Sequence, residues 1–410
     1  MPDDPPAAQL DGSDRERARL TYKYDRLRAI FYGALEPCWV TLALIIAIRY
    51  YEMPEDYKAL LTAAGFFGLF FNALSAYLLG RTGRPVTQLI SWLLIGSAVF
   101  IALSIVVNSL VGFLITFIIG HILITQSPPF TIQIYQKNYR ASERGAKLST
   151  VLILTSLGAI IAGWLGGKAL NHDIANFPFI LVGMVLCLLT CAVIVRRIPS
   201  APFDTAHATN PLKGFSVMWK DKLFGWLLFC WMIIGITNLL TLPLRVEYMA
   251  DPRFGINASN EDIVLVTFVV PMIVRLASTR MWGILFDRIN FILWRILVNT
   301  CFIVAFLIFF NSTSLLMLGL GMGFVGLAMG GGNLGWSLWV TKLAPPDRVS
   351  DYMNAHTAMT GIRGTAAPFI GYSLLASFTP STIGWITAGF LLLANILFAT
   401  ALGSPRMRKA

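Results

Sequence analysis

Apolar stretches of about 20 residues, the length needed to cross the hydrocarbon of a bilayer, recur from residue 27 to residue 402 of this 410-residue chain. Twelve can be marked, at 27–50, 57–79, 86–108, 109–134, 147–170, 176–198, 223–246, 262–286, 291–311, 313–341, 352–377 and 381–402. In hydrocarbon a segment must satisfy its own backbone N–H and C=O groups, and runs this long without period-two alternation fit helices and not barrel strands. The predicted fold class is therefore an all-α polytopic membrane protein with twelve transmembrane helices. Composition agrees: 56% of residues are hydrophobic and 13% charged, against roughly 25% charged in soluble domains. A polar segment precedes the first apolar run and no small-residue cleavage site follows a short apolar core, so no signal peptide is expected.

The basic residues orient the chain. With both termini cytoplasmic, the inner segments hold 25 of the 32 Lys and Arg residues, and the outer loops around Asn108, Asn311 and Phe378 hold none. The net charge of +11 then reads as topology and attraction to anionic lipid, not nucleic-acid binding. Cys38, Cys187, Cys191, Cys230 and Cys301 all fall in apolar spans and read as small buried hydrophobes. No His or carboxylate at ligand spacing accompanies Cys187 and Cys191, so no metal is expected. No cofactor is expected either. The chain lacks a Gly-x-x-x-x-Gly-Lys-Ser/Thr phosphate loop, and its four histidines, His121, His172, His207 and His356, are too dispersed to form an enzyme's site.

The chain also repeats itself. "GILFDR", with Gly283, Asp287 and Arg288, has a weaker counterpart 207 residues earlier in "AYLLGRTGRP", where Gly80 replaces the aspartate and Arg81, Gly83 and Arg84 follow. Glu143 and Arg144 before the fifth span correspond to Asp347 and Arg348 before the eleventh. The long polar stretch 199–222 lies between the halves. The division expected is a polar cytoplasmic tail 1–26, a six-helix bundle 27–198, a cytoplasmic linker 199–222, a second six-helix bundle 223–402 and a tail 403–410.

Gly283, Asp287 and Arg288 in one half, and Arg81, Gly83 and Arg84 in the other, each resemble part of the loop signature of the major facilitator superfamily, Gly-x-x-x-Asp-Arg followed by Gly-Arg. "GAIIAGWLGG", from Gly158 to Gly167, resembles the fifth-helix motif of that superfamily's exporters, with Ala162 and Gly163 in place of Gly-Pro. The resemblance implies two bundles that rock about a central cavity lined by spans one, four, eight and eleven among others. Read physically, Asp287 would accept N–H bonds at a neighbouring helix start, and Arg288 would pair with a carboxylate such as Glu143 or with lipid phosphate. Gating is accordingly assigned to Gly283, Asp287, Arg288, Arg81, Gly83, Arg84, Glu143, Arg144, Asp347 and Arg348.

Charges far from either membrane surface cost several kcal/mol and ask for a partner or a wet cavity. Glu36, His121, Arg275 and Arg363 lie at such depth, joined by Gln126, Asn238, Asn333 and the flat walls of Trp39 and Trp336. These nine residues are the substrate-site candidates, with Glu36 and His121 as proton-coupling candidates. The expected function is a secondary active transporter of a small solute, an organic anion being favoured because guanidinium forks suit carboxylate or phosphate. A proton-driven exporter of lipophilic compounds and a non-transporting receptor are the alternatives. Expected partners are the small-molecule substrate, membrane lipid and protons, with the monomer as working unit and the cell inner (plasma) membrane as location.

Overall fold

The long apolar runs become long helices. The computed structural model describes residues 12–107, 109–204, 211–345, 348–404 and 406. In chain order these form α1 (Gly12–Ala34), α2 (Ala43–Arg49), α3 (Glu55–Gly80), α4 (Val86–Val106), α5 (Leu110–Ile124), α6 (Pro128–Asn138), α7 (Ala141–His172), α8 (Phe177–Val195), α9 (Pro211–Lys220), α10 (Lys222–Ala250), α11 (Asn260–Val264), α12 (Val270–Arg288), α13 (Phe291–Phe310), α14 (Leu315–Leu338), α15 (Val349–Ser377) and α16 (Pro380–Ala399). Among the described residues there is no strand, only an isolated bridge between Pro85 and Pro202. Among the described residues ten helices are long and apolar enough to cross a membrane, and an eleventh is counted when Glu55–Asn72 and Leu74–Gly80 are taken as one span. The 29-residue α15 has the length but carries Asp351, His356 and Arg363. Twelve spans are consistent with this set.

Local chemistry sets the ends and breaks. Ser109, Asp221, Asn290 and Thr379 each accept a backbone N–H at the start of α5, α10, α13 and α16, which supplies a partner the first turn otherwise lacks. Gly83, at φ +65°, makes the turn between α3 and α4 in a conformation that side chains disfavour. Two spans contain a π-helical segment, Cys38–Leu42 just after Pro37 and Leu265–Val269 before Pro271. The fourth span breaks at 125–127, where the Pro128–Pro129 pair restarts the helix as α6.

The chain forms two compact units, one of residues 1–39, 68–169 and 175–208, the other of 40–67, 170–174 and 209–410. In the first, α4 lies against α5 and α8, and α1 against α8. Gly158 of α7 faces the Ile30 carbonyl of α1 so closely that an added Cβ would collide with it. The glycine-rich string here therefore permits close helix packing. In the second unit, α14 packs between α12 and α13, α13 against α16, and α10 against α15 and α16. This unit also takes in α2 and the beginning of α3, and α2 contacts α10.

Candidate functional site

In the second unit, several polar and aromatic side chains of α10, α13, α14 and α15 meet around Trp231. Arg363 is 4% exposed and donates from Nη1 to the Trp231 carbonyl at 2.6 Å and from Nη2 to Thr360 Oγ1 at 3.0 Å. Trp336 donates to the same Thr360 oxygen at 3.3 Å, so two sequence candidates meet on one hydroxyl. Gly235 leaves room for the Arg363 stem, since a Cβ there would overlap the guanidinium. Arg295, one of the basic residues that the count of inner charges places on the cytoplasmic side, is 2% exposed, its guanidinium carbon 4.0 Å from the Trp231 ring centroid. His356 is fully buried, its ring 5.3–5.5 Å from those of Trp231, Trp336 and Trp339. Nearby in sequence on α10, the buried Arg245 donates to Asn238 Oδ1 at 2.9 Å and Thr241 Oγ1 at 2.8 Å. None of Arg245, Arg295 and Arg363 meets a carboxylate among the described residues.

The other second-unit candidates lie apart from that cluster in their bonding. Arg275 is half-buried, with Nη2 2.6 Å from Met272 Sδ, and its carbonyl accepts from Thr279 at 2.7 Å. Asn333 is exposed. Asn238, as noted, holds Arg245.

In the first unit Trp39, His121 and Gln126 are engaged with neighbouring groups. Trp39 stacks on His121 with centroids 4.6 Å apart and planes 10° from parallel, and Phe117 closes the other edge at 5.3 Å. Gln126 donates to the carbonyls of Gly68 and Ile122 at 2.9 Å each and accepts from Ser75 at 2.8 Å. Both ends of its amide are used to mend the helix break, which is a structural task. Glu36 is half-buried between the end of α1 and the π-helical segment. A charged pair that sequence reading passed over lies in α1: Arg28 donates from Nη2 to Asp25 Oδ1 at 2.7 Å, both groups buried, with Tyr135 at 3.4 Å.

A family profile described as Major Facilitator Superfamily matches residues 29–353. The chain belongs to that superfamily. Its members are secondary transporters, which makes the protein an integral membrane transporter rather than an enzyme. A nucleoside transporter, NupG, has a similar structure at a TM-score of 0.74 and 14% identity, covering 93% of this chain and 99% of that one. The xylose transporter XylE from E. coli, in a partially occluded inward-open conformation, gives 0.68 and 13% over 96% and 100%. The human organic anion transporter MFSD10 gives 0.60 and 17% over 95% and 100%. At these identities the likeness is of fold. A multidrug resistance protein, MdtH of Aeromonas salmonicida (strain A449), is 23% identical over 139 residues, 32% of this chain and only 34% of the relative's length.

The superfamily's loop signature takes a plain form here. "GILFDR" lies inside α12, which ends at Arg288, and Asp287 is exposed with no hydrogen bond among the described residues. The helix-start contact expected of Asp287 is thus not formed in this structure; a carboxylate in a last helical turn meets the negative end of the dipole. Gly283 has open space about it, a Cβ meeting only Leu334 at 4.0 Å. Arg81 and Arg84 are exposed, Arg81 lying 5.6 Å from the Tyr77 ring centroid. Glu143 accepts from Lys147 at 2.6 Å, Arg144 donates to the Tyr139 carbonyl at 3.3 Å, and Arg348 reaches Asp351 at 3.5 Å. Asp347 lies outside the described residues.

A further pair was hidden by its position at the span ends. Lys58 of α3 donates to Glu247 of α10, the side chains 6% and 0% exposed, and Tyr372 of α15 donates to the other Glu247 oxygen at 3.1 Å. Beside it Arg49, at the end of α2, donates to Asn260 and to the carbonyls of Ala250 and Ala258. Both lysine and glutamate sit where a sequence count assigns surface charge, so nothing in the pattern marks them as partners.

Proposed function

We propose that this transporter moves a small organic anion by alternating access, working as a monomer in the cell inner membrane with both termini cytoplasmic. The observation that carries the reading is uncompensated positive charge: Arg245, Arg295 and Arg363 are each at most 5% exposed, and their partners are carbonyls, hydroxyls, an amide and aromatic faces. A buried charge without a counter-ion costs several kcal/mol, and an entering anion offsets that cost. Arg363, steadied by Thr360 beside Trp336, is the residue assigned to the anion's head, with Arg275 as the second cation. Glu36 is the proton carrier in this reading, since a half-buried carboxylate changes proton affinity as nearby charge arrives or leaves. The loop residues Arg81, Gly83, Arg84, Glu143, Arg144, Gly283, Asp287, Arg288, Asp347 and Arg348 are the gates.

Uptake by proteoliposomes tests this. A panel of organic anions, sugars and lipophilic cations is offered with and without an imposed pH gradient, and each compound is scored in parallel by the melting-temperature rise it gives the purified protein. The best ligand is expected to be an anion. Arg363→Lys should weaken its binding about tenfold or more, because a bidentate contact is lost while charge remains. Glu36→Gln should abolish the response to the pH gradient and spare exchange. A best ligand that is neutral or cationic sinks the anion reading. The likeness to part of a multidrug resistance protein favours a second reading, proton-driven export of lipophilic compounds, which the same panel would reveal.

A further inference from the structure

The cluster around Trp231 is rich in hydrogen-bond donors and poor in acceptors. Trp231 Nε1, Trp339 Nε1, Arg295 Nε and Nη1, Arg363 Nε and both nitrogens of His356 are buried without a hydrogen-bond partner among the described residues. A neutral imidazole offers one acceptor; every other open atom in that set is a donor. The side chains that carry them are 0–4% exposed. Stacking on Trp231, at 4.0 Å for Arg295, offsets only part of the cost of desolvating an ion. The second guanidinium, at 5.9 Å from the same ring, adds repulsion instead of relief. Such a set needs an acceptor that is also negatively charged.

The walls limit what that acceptor is. Three indoles surround the imidazole at 5.3–5.5 Å, and Phe224 stacks on Trp339 at 5.3 Å. The helices close tightly here, since a Cβ on Gly335 would lie 2.7 Å from Trp294 and 3.7 Å from Arg295 Nη1. A carboxylate or phosphate ester brings a covalent remainder that must be housed, and free phosphate or sulfate carries a larger dehydration cost. A spherical monovalent ion accepts N–H bonds from any direction and has no remainder.

We infer that the second unit binds a halide ion, chloride in the cell, through Arg295, His356 and the indole N–H groups of Trp231 and Trp339. The ion supplies the counter-charge for Arg295, leaves Arg245 and Arg363 to the transported solute, and ties α10, α13, α15 and the turn that follows α14 together. It is a resident ion, separate from the transported solute, and the inference stands whether that solute is anionic or not.

The test uses the purified full-length chain in gluconate buffer at constant ionic strength, titrated with sodium chloride or sodium bromide. Both halides should give a saturable rise in melting temperature of a few degrees, which further gluconate does not give. Trp339→Phe keeps the ring and removes one donor, and should move the titration midpoint up by about tenfold, as loss of a hydrogen bond to a charged group implies. Arg295→Gln should abolish the response. Because that variant can fail to fold, crystals of the parent protein grown in bromide give an independent reading: an anomalous peak within bonding reach of Arg295 and Trp231 Nε1. No halide-specific melting shift and no bromide peak overturns the inference, as does a peak that the transported anion displaces. Organic-anion uptake measured in chloride-free gluconate decides the transport reading separately, so failure of one is distinguishable from failure of the other.

Discussion

The first unit sets its buried arginine against a carboxylate, and the second leaves three buried arginines without one among the described residues. Arg28 lies against Asp25 at 2.7 Å, and at greater depth the first unit relies on a Trp39–His121 stack and a fully engaged Gln126. Arg245, Arg295 and Arg363 in the second unit meet no carboxylate among the described residues. The two units thus treat their buried arginines differently, although the second also holds the paired Lys58 and Glu247. The repeat fixes where helices go and leaves free the chemistry of the faces between them. An uncompensated site has a use only if something else supplies the charge, and that makes the second unit the place to look for ligand.

The sharpest way to break this contrast is to remove one cation from each unit. Arg28→Met strands the Asp25 carboxylate and should destabilise the protein by about 3–5 kcal/mol, whereas Arg363→Met removes a charge that meets only neutral groups among the described residues and should cost less, about 1 kcal/mol, while abolishing anion binding. Unfolding in detergent with and without ligand measures both. Equal losses of stability would mean that Arg363 is paired in the membrane after all.

Lys58 tests whether the second unit also contains a conventional pair. Lys58→Met leaves Glu247 buried, with Tyr372 and the more distant Arg253 at 3.7 Å as remaining partners, and should cost about 3 kcal/mol. The double variant with Glu247→Gln should recover most of it in the same assay. A full additive loss would remove the pair from the account.

Smaller still is the effect expected at His121. With the ring stacked on Trp39, which Phe117 meets in turn, His121→Phe preserves the shape and should change stability by less than about 1 kcal/mol. Transport should keep its pH dependence if Glu36 is the carrier. Loss of that dependence in His121→Phe would move the coupling role to the histidine.

The smallest effect belongs to a surface clasp. Asp221 caps α10 and accepts from Arg406 at 2.8–2.9 Å and from Tyr352 at 2.8 Å. Burial alone pushes its carboxyl up, but the bonds from Arg406, the Phe224 N–H and Tyr352 outweigh it and hold the group below the usual carboxylate value. A lowered folded-state value means the contribution is present above the unfolded value of about 3.9 and is lost as pH falls through the folded one. Asp221→Asn should therefore flatten the acid limb of the stability profile below about pH 4, by less than about 1 kcal/mol given the exposure of Arg406. An unchanged acid limb would show the clasp to be dispensable.

The sequence by itself determined the long helices and placed a glycine, Gly83, in the short turn between α3 and α4. Each follows from a requirement that a chain meets locally: hydrocarbon forces backbone hydrogen bonds within a span, and a short turn forces its own glycine. The sequence also marked Gln126 and Asn238 as polar at depth, but not that one mends a helix break and the other holds Arg245. Only the tertiary structure decided which charges meet. Arg295 reads as a surface charge at the start of a span and is buried on Trp231, and Lys58 finds Glu247 across 189 residues of chain. Side-chain pairing depends on which faces of separate helices are brought together, and that is settled by packing across the whole unit, where small residues such as Gly158 and Gly235 set how closely the neighbours approach.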